Sequence, residues 1–175
     1  MKSILIVYYS HTGVTAQVAH ALARACGADL EQITEPQPRQ GLAGYLRAVW
    51  QALRQQPAPI NPPRHHPADY PVVVLGTPVW AGHLSSPMRS YILQQREHFR
   101  HVALFCTMGG SGGAGVLTAM ADLCNKLPMA TLCVRQRDVL AERYAAALTE
   151  FVHELPTAEP AEDRLAAADG ATRPG

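Results

Sequence analysis

Three hydroxyls and a glycine fall within six residues, Ser10-His11-Thr12-Gly13-Val14-Thr15. They follow an apolar run, Ile4 to Tyr9, and open a helical pattern of Val14, Val18, Ala19, Leu22 and Ala25. At a junction of that kind the unpaired N–H groups of the first helical turn and the helix dipole favour an anion. The hydroxyls of Ser10, Thr12 and Thr15 add donors, and Gly13 allows close backbone approach. No Lys or Arg lies in the loop, so the implied chemistry is the holding of a phosphate by neutral donors. Capping the helix would take one hydroxyl, from Ser10 or Thr12; three exceed that need.

Other patterns suggest other chemistries. Gly109-Gly110-Ser111-Gly112-Gly113 satisfies G-x-S-x-G, and Asp138 and His153 follow in the order of a hydrolase triad. Too little chain follows Ser111 to seat such partners on further strands. The same segment contains Gly110-x-Gly112-x-x-Gly115, a dinucleotide-type fingerprint, with Arg135 and Arg137 downstream where a 2′-phosphate could sit. That fingerprint belongs after the first strand of its unit, whereas here it follows a late one. Cys26, Cys106, Cys124 and Cys133 form no C-x-x-C pair and are expected to be buried free thiols in a reducing compartment. His65-His66 has no cysteine or acid at ligand spacing, so no metal site is expected.

These residues need elements to position them. Apolar, β-branched runs predict strands at Ile4–Tyr9, Pro71–Gly76, Val102–Cys106 and Met129–Val134, with a weaker one at Ala28–Thr34 nearer an edge. Helical spacing predicts helices over Gly13–Cys26, Gly41–Gln55, Ser86–Glu97, from the 109–115 loop to about Leu123, and over Val139–His153. The prolines at 57, 59, 62, 63 and 67 exclude regular structure between the second helix and the next strand. The alternation βαβαβαβαβα demands a parallel sheet with helices on both faces. The expected fold is therefore α/β, a three-layer, doubly wound, five-stranded sheet of order 2-1-3-4-5. Ligands in such sheets bind outside the strands' carboxyl ends, between strands 1 and 3.

The chain has 175 residues and a formal net charge of +1, enough for one domain and too balanced for a strongly basic nucleic-acid binder. Residues 154–175 carry net −3 and are rich in Ala, Pro, Glu and Gly, so a solvated tail is expected after a domain spanning 1–153, which carries net +4. No apolar stretch is long enough to span a membrane. The start reads as a buried strand and not a signal peptide, making the cytoplasm the expected compartment.

Ser10-x-Thr12-Gly13-x-Thr15 after a first strand resembles the phosphate signature of the flavodoxin family, T/S-x-T-G-x-T. The resemblance implies FMN held by its 5′-phosphate in residues Ser10, His11, Thr12, Gly13, Val14 and Thr15. It further implies that Thr77, Pro78, Val79, Trp80, Ala81 and Gly82 form the first loop flanking the flavin ring, with His83 beside them as a proton-donor candidate. Thr107, Met108, Gly109, Gly110 and Ser111 would form the second. Members of the family that only carry electrons often place a Tyr in this second loop; Met108 supplies no stacking plane, which would leave a ring face open. Such carriers are also strongly acidic, and this chain is not. The expectation is an FMN-dependent oxidoreductase moving electrons or a hydride, with NAD(P)H as donor and a quinone-like small molecule or a redox protein as acceptor. A one-electron carrier and a non-enzymatic flavodoxin-fold binding module are the alternatives, with a Ser111 hydrolase more remote.

Overall fold

The computed structural model describes residues 3–36 and 57–156. Strand β1 (Ile4–Tyr8) is buried at every position, as an unbroken apolar run requires when helices cover both sheet faces. Helix α1 (Val14–Cys26) follows and stops at Gly27, whose φ of 64° turns its N–H onto the Ala23 carbonyl. The remaining helices and strands are β2 (Asp29–Gln32), β3 (Val72–Trp80), β4 (His83–Leu84), α2 (Ser86–Gln95), β5 (His101–Met108), α3 (Gly113–Cys124), β6 (Thr131–Arg135), α4 (Gln136–Leu140) and α5 (Ala145–His153). Short 3₁₀ turns occupy Arg96–His98 and Pro67–Asp69, the latter inside the proline-rich connection expected to lack regular structure, because proline is tolerated at the first position of a turn.

The sheet runs β2-β1-β3-β5-β6, with β4 paired to β3 alone. Every neighbour on the main path is parallel. Counting only those five strands, the order is the expected 2-1-3-4-5. One face (Leu5, Val7, Val73, Leu75, Leu104) packs on α2 and α3 through Met88, Tyr91, Val116 and Met120. The other (Ile6, Val72, Val74, Phe105) packs on α1 and α5 through Val18, Leu22, Leu148 and Phe151. The expected helix over 41–55 and the tail from residue 157 lie outside the described residues.

Several boundaries differ from expectation. β3 continues past Gly76 to Trp80 and folds back through Ala81 and Gly82 into β4. Both turn residues have positive φ, 48° and 78°, as a tight two-residue hairpin of the I′ kind requires. The single helix expected over Val139–His153 is two. In one straight helix Val139 and Leu148, nine residues apart, would point about 180° apart. A break, with Glu142 at φ 54°, lets both enter the same core. The thiols also divide: Cys106 and Cys124 are buried and Cys26 is half-buried, but Cys133 is exposed because β6 is an edge strand whose residues alternate between exposed and buried.

The proline-rich connection is held to β2 by Glu31, only 6% exposed. Its carboxylate accepts the backbone N–H groups of Arg64 and His65, each at 3.1 Å, and lies 2.6 Å from His65 Nδ1. Folding thus brings an acid onto this histidine that the sequence spacing did not.

The centre of the sheet depends on one glycine. A Cβ on Gly76 would lie 2.0 Å from Phe105 Cζ. The ring belongs to Phe105, fully buried on the adjacent central strand, so it has little space into which to shift. Gly76→Ala is expected to destabilise the fold by about 3 kcal/mol or more, at the upper end of overpacking costs. Urea unfolding checks this; a loss below about 0.5 kcal/mol would mean the ring can be displaced.

Candidate functional site

The carboxyl ends of β1, β3 and β5 bring three loops together. In the first, Ser10 Oγ accepts the N–H groups of Gly13 and Ala16, each at 3.2 Å. Ser10 is therefore committed to shaping the loop, as a helix-capping hydroxyl does. Gly13 sits at φ 90°, a conformation costly for any residue with a Cβ, with open space where that Cβ would be. The first intrahelical bond runs from Gln17 N–H to Gly13 C=O. The N–H groups of Val14 and Thr15 thus belong to the helix end that lacks intrahelical acceptors. Thr12 is exposed and His11 half-buried.

Thr15 behaves differently from Thr12. It is buried, and its hydroxyl lies 2.8 Å from that of Thr107 at the end of β5. This bond joins the first loop to the third. Together the loop offers neutral hydroxyl and amide donors without an acid, a donor set that fits a phosphate.

The second loop is the β3–β4 hairpin. Thr77 is fully buried and its hydroxyl pairs with Ser85 Oγ at 2.8 Å, so its side chain supports the hairpin from within. Pro78 and Val79 are half-buried, and Ala81 and Gly82 are exposed at the tip. Trp80 is 8% exposed. Tyr9 and His11 stand edge-on to its indole, with centroids 5.6 and 6.1 Å away. The indole thus bridges the first and second loops, and Tyr9 in turn donates its hydroxyl to Glu35 at 2.9 Å. His83, opposite Trp80 in the hairpin, is half-buried.

The third loop follows Met108. Gly109, Gly110 and Ser111 are exposed. A Cβ on Gly112 would lie 2.9 Å from Gly82 Cα, so the second and third loops touch where both carry glycine. Neither segment 77–83 nor segment 107–113 contains Asp or Glu. Arg135, which sequence reasoning considered only for a dinucleotide phosphate, pairs in register with Met108 and puts a cation beside this loop. No local pattern signalled that neighbour; it follows from the parallel register.

The hydrolase constellation does not assemble. Asp138 faces Arg143 at 3.6 Å and Arg137 at 3.8 Å. Helix α5 starts at the carboxyl end of the sheet and runs back, carrying His153 at its far end away from Ser111. No group of three or more metal-ligating His, Cys, Asp or Glu occurs among the described residues.

Comparison with known proteins agrees with this geometry. A family model described as flavodoxin matches residues 3–155. A flavoprotein from Lactobacillus acidophilus, solved in complex with FMN, is 19% identical with a TM-score of 0.65, covering 81% of this chain and 98% of that one. A flavoprotein from Bacteroides eggerthii is 23% identical with a TM-score of 0.64, covering 83% of this chain and 98% of that one. A WrbA-like flavodoxin from Agrobacterium tumefaciens is 14% identical with a TM-score of 0.51, covering 88% and 99%. At these identities the solved structures establish likeness of fold.

The Thr15–Thr107 bond gives a test of how the loops are coupled. Thr15→Val and Thr107→Val should each lower unfolding free energy by about 1–3 kcal/mol, since each leaves a buried hydroxyl without its partner. The double variant should cost less than the sum of the singles. Strict additivity in urea titrations would show that the two hydroxyls do not interact.

Proposed function

The chain belongs to the flavodoxin family, and on that premise we propose that it binds FMN at the carboxyl end of its sheet and acts as an oxidoreductase. The observation that carries this reading is the Ser10–Thr15 loop: a capped, glycine-turned junction at the switch between β1 and β3, rich in neutral donors. The FMN bound to the Lactobacillus acidophilus relative supports it. When bound, FMN supplies the capacity to accept and release electrons or a hydride.

The residues of this chain then have separable tasks. Thr12 Oγ and the N–H groups of Val14 and Thr15 hold the phosphate, while Ser10 and Gly13 fix the loop that presents them. The hairpin tip, Ala81–Gly82, and the 108–111 segment would hold the ring through their exposed backbone groups. Trp80, wedged against Tyr9 and His11, excludes water from the inner side. Met108 leaves the outer face open to a small acceptor or donor.

Electrostatics favour a reductase over a pure electron carrier. With no acid in either ring loop and Arg135 beside the second, negative charge on the reduced ring meets attraction and little repulsion. The midpoint potential should therefore be less negative than that of an acidic carrier. We expect electrons from NAD(P)H to reach a quinone or similar acceptor without a second protein.

Purified protein should be yellow and release FMN on denaturation; a colourless protein without FMN affinity would instead favour a plain binding module. Thr12→Val should weaken FMN binding by roughly 0.5–3 kcal/mol, about 2- to 150-fold in Kd, with the unfolding midpoint of the FMN-free protein unchanged because Thr12 is exposed. Unaltered affinity would remove Thr12 from the phosphate site. Steady oxidation of NADH or NADPH with a soluble quinone should occur with this protein alone. Reduction only when a separate reductase is added would make the chain a carrier.

A further inference from the structure

Two thiols that the proposed flavin site does not use lie side by side at the edge of the sheet. Cys106 on β5 and Cys133 on β6 are register partners, with their sulfurs 3.4 Å apart. Their surroundings differ sharply. Cys106 is completely buried, whereas Cys133 is exposed. Helix α3 begins against them: a Cβ on Gly113 would lie 2.2 Å from Cys133 Sγ and 3.3 Å from Cys106 Sγ. Glycine at 113 therefore leaves room for both sulfurs.

Cys133 lines an open pocket of about 350 Å³. Met108, Arg135, Asp138, Arg143 and Tyr144 are among its other walls, so it holds two cations and one acid. A nucleophile with an adjacent thiol behind it and net positive charge in front is an arrangement suited to disulfide exchange with an anion. We propose that Cys133 attacks a small anionic disulfide held in this pocket, and that Cys106 completes the reaction as the resolving thiol.

The chemistry balances. The Cys133 thiolate attacks one sulfur of R–S–S–R, forming a mixed disulfide and releasing RS⁻, which takes a proton. Cys106 then gives up its proton and attacks Cys133 Sγ, forming the Cys106–Cys133 disulfide and releasing the second RSH. The external disulfide is reduced by two electrons and the protein dithiol is oxidised. Neighbouring strands about 4.8 Å apart fall within the Cα separations disulfides span. The sulfurs need only close from 3.4 Å to bonding distance.

The titration of the pair agrees with these roles. The S–H of Cys106 donates towards Cys133, and with help from Arg135 this holds the Cys133 thiol down at about 7, against the opposing effect of its partial burial. The same hydrogen bond, and then burial, pushes the Cys106 thiol up. Cys133 is thus ionised in part near neutrality, while Cys106 stays protonated until the mixed disulfide forms. None of this requires bound FMN.

The test uses the purified, reduced protein with oxidised glutathione as the anionic disulfide and cystamine as a cationic one, followed by intact-mass and peptide mass spectrometry. The wild type should lose two hydrogens and yield a Cys106–Cys133 cross-linked peptide. Cys106→Ala should instead accumulate one glutathionyl group on Cys133. Cys133→Ser, altered at an exposed position, should do neither. Replacing both arginines, Arg135→Gln with Arg143→Gln, should slow the reaction with oxidised glutathione roughly 5- to 10-fold relative to cystamine, as expected of lost charge attraction. The proposal is overturned if Cys133→Ser reacts as fast as wild type, or if the wild-type product is a stable mixed disulfide without the cross-link. A rate ratio unaffected by the arginine changes would overturn the anionic class of substrate.

Discussion

The central strands have no solvent face. β1, β3 and β5 are covered on both sides by helices, so every polar group they position for chemistry must appear where the strands end. This constraint organises the rest of the molecule. Parallel connection sends each loop out of the carboxyl end, and the reversal of winding between β1 and β3 opens a crevice there. The packing that closes the sheet also sets how accurately those ends align. Gly76 lets Phe105 lie flat across β3, and the Tyr9 N–H bonds the Gly76 carbonyl at 3.0 Å, which keeps the first loop in step with the second.

The three loops are tied to one another by different means. Thr15 and Thr107 join the first and third through a buried hydroxyl bond. Trp80 joins the first and second through aromatic edges. Gly82 and Gly112 join the second and third through direct backbone approach. None of these ties uses a charged group. The site can therefore keep its shape without fixing a potential of its own, and one cation, Arg135, comes from the neighbouring edge strand, in register with Met108. An anionic phosphate and a ring that gains negative charge on reduction are both compatible with that balance.

Much of this was legible in the sequence because the chemistry and the periodicity coincide. The run Ile4–Tyr9, the hydroxyls at 10, 12 and 15, and Gly27 each have a local physical meaning, and α1 forms between them as expected. What the sequence concealed depends on partners far along the chain. Thr12 and Thr15 look alike in the motif, yet only Thr15 meets Thr107 in the interior. Val139 and His153 bound a convincing helical stretch, but two core contacts on opposite sides of it force a break at Glu142. Cys133 reads as a core residue in an apolar run; on β6 the side chains alternate, Leu132 and Val134 entering the core and Cys133 taking the exposed face. Trp80 reads as a loop residue, because only pairing with His83 extends β3 to reach it.

The glycine-rich segment shows why motif matches mislead when the reason for each glycine is unknown. Gly109 and Gly110 have open space around them, which leaves their backbone accessible to a ligand. Gly112 is required for a different reason, a φ of 95° and the close approach of Gly82. Gly113 answers to a third, the sulfurs of Cys133, Met108 and Cys106 beneath the start of α3. Together these independent requirements produce a string that satisfies a hydrolase elbow and supplies two of the three glycines of a dinucleotide fingerprint, the third, Gly115, having open space around it. Neither pattern's mechanism is needed to account for it. Among the described residues the partners such a Ser111 would need are engaged elsewhere: Asp138 is held by arginines and His153 stands at the last turn of α5. The same glycines that create the false motifs also bring the third loop against the second at Gly82 and against the thiol pair. Met108 closes this stretch: it ends β5 and lines the pocket of Cys133.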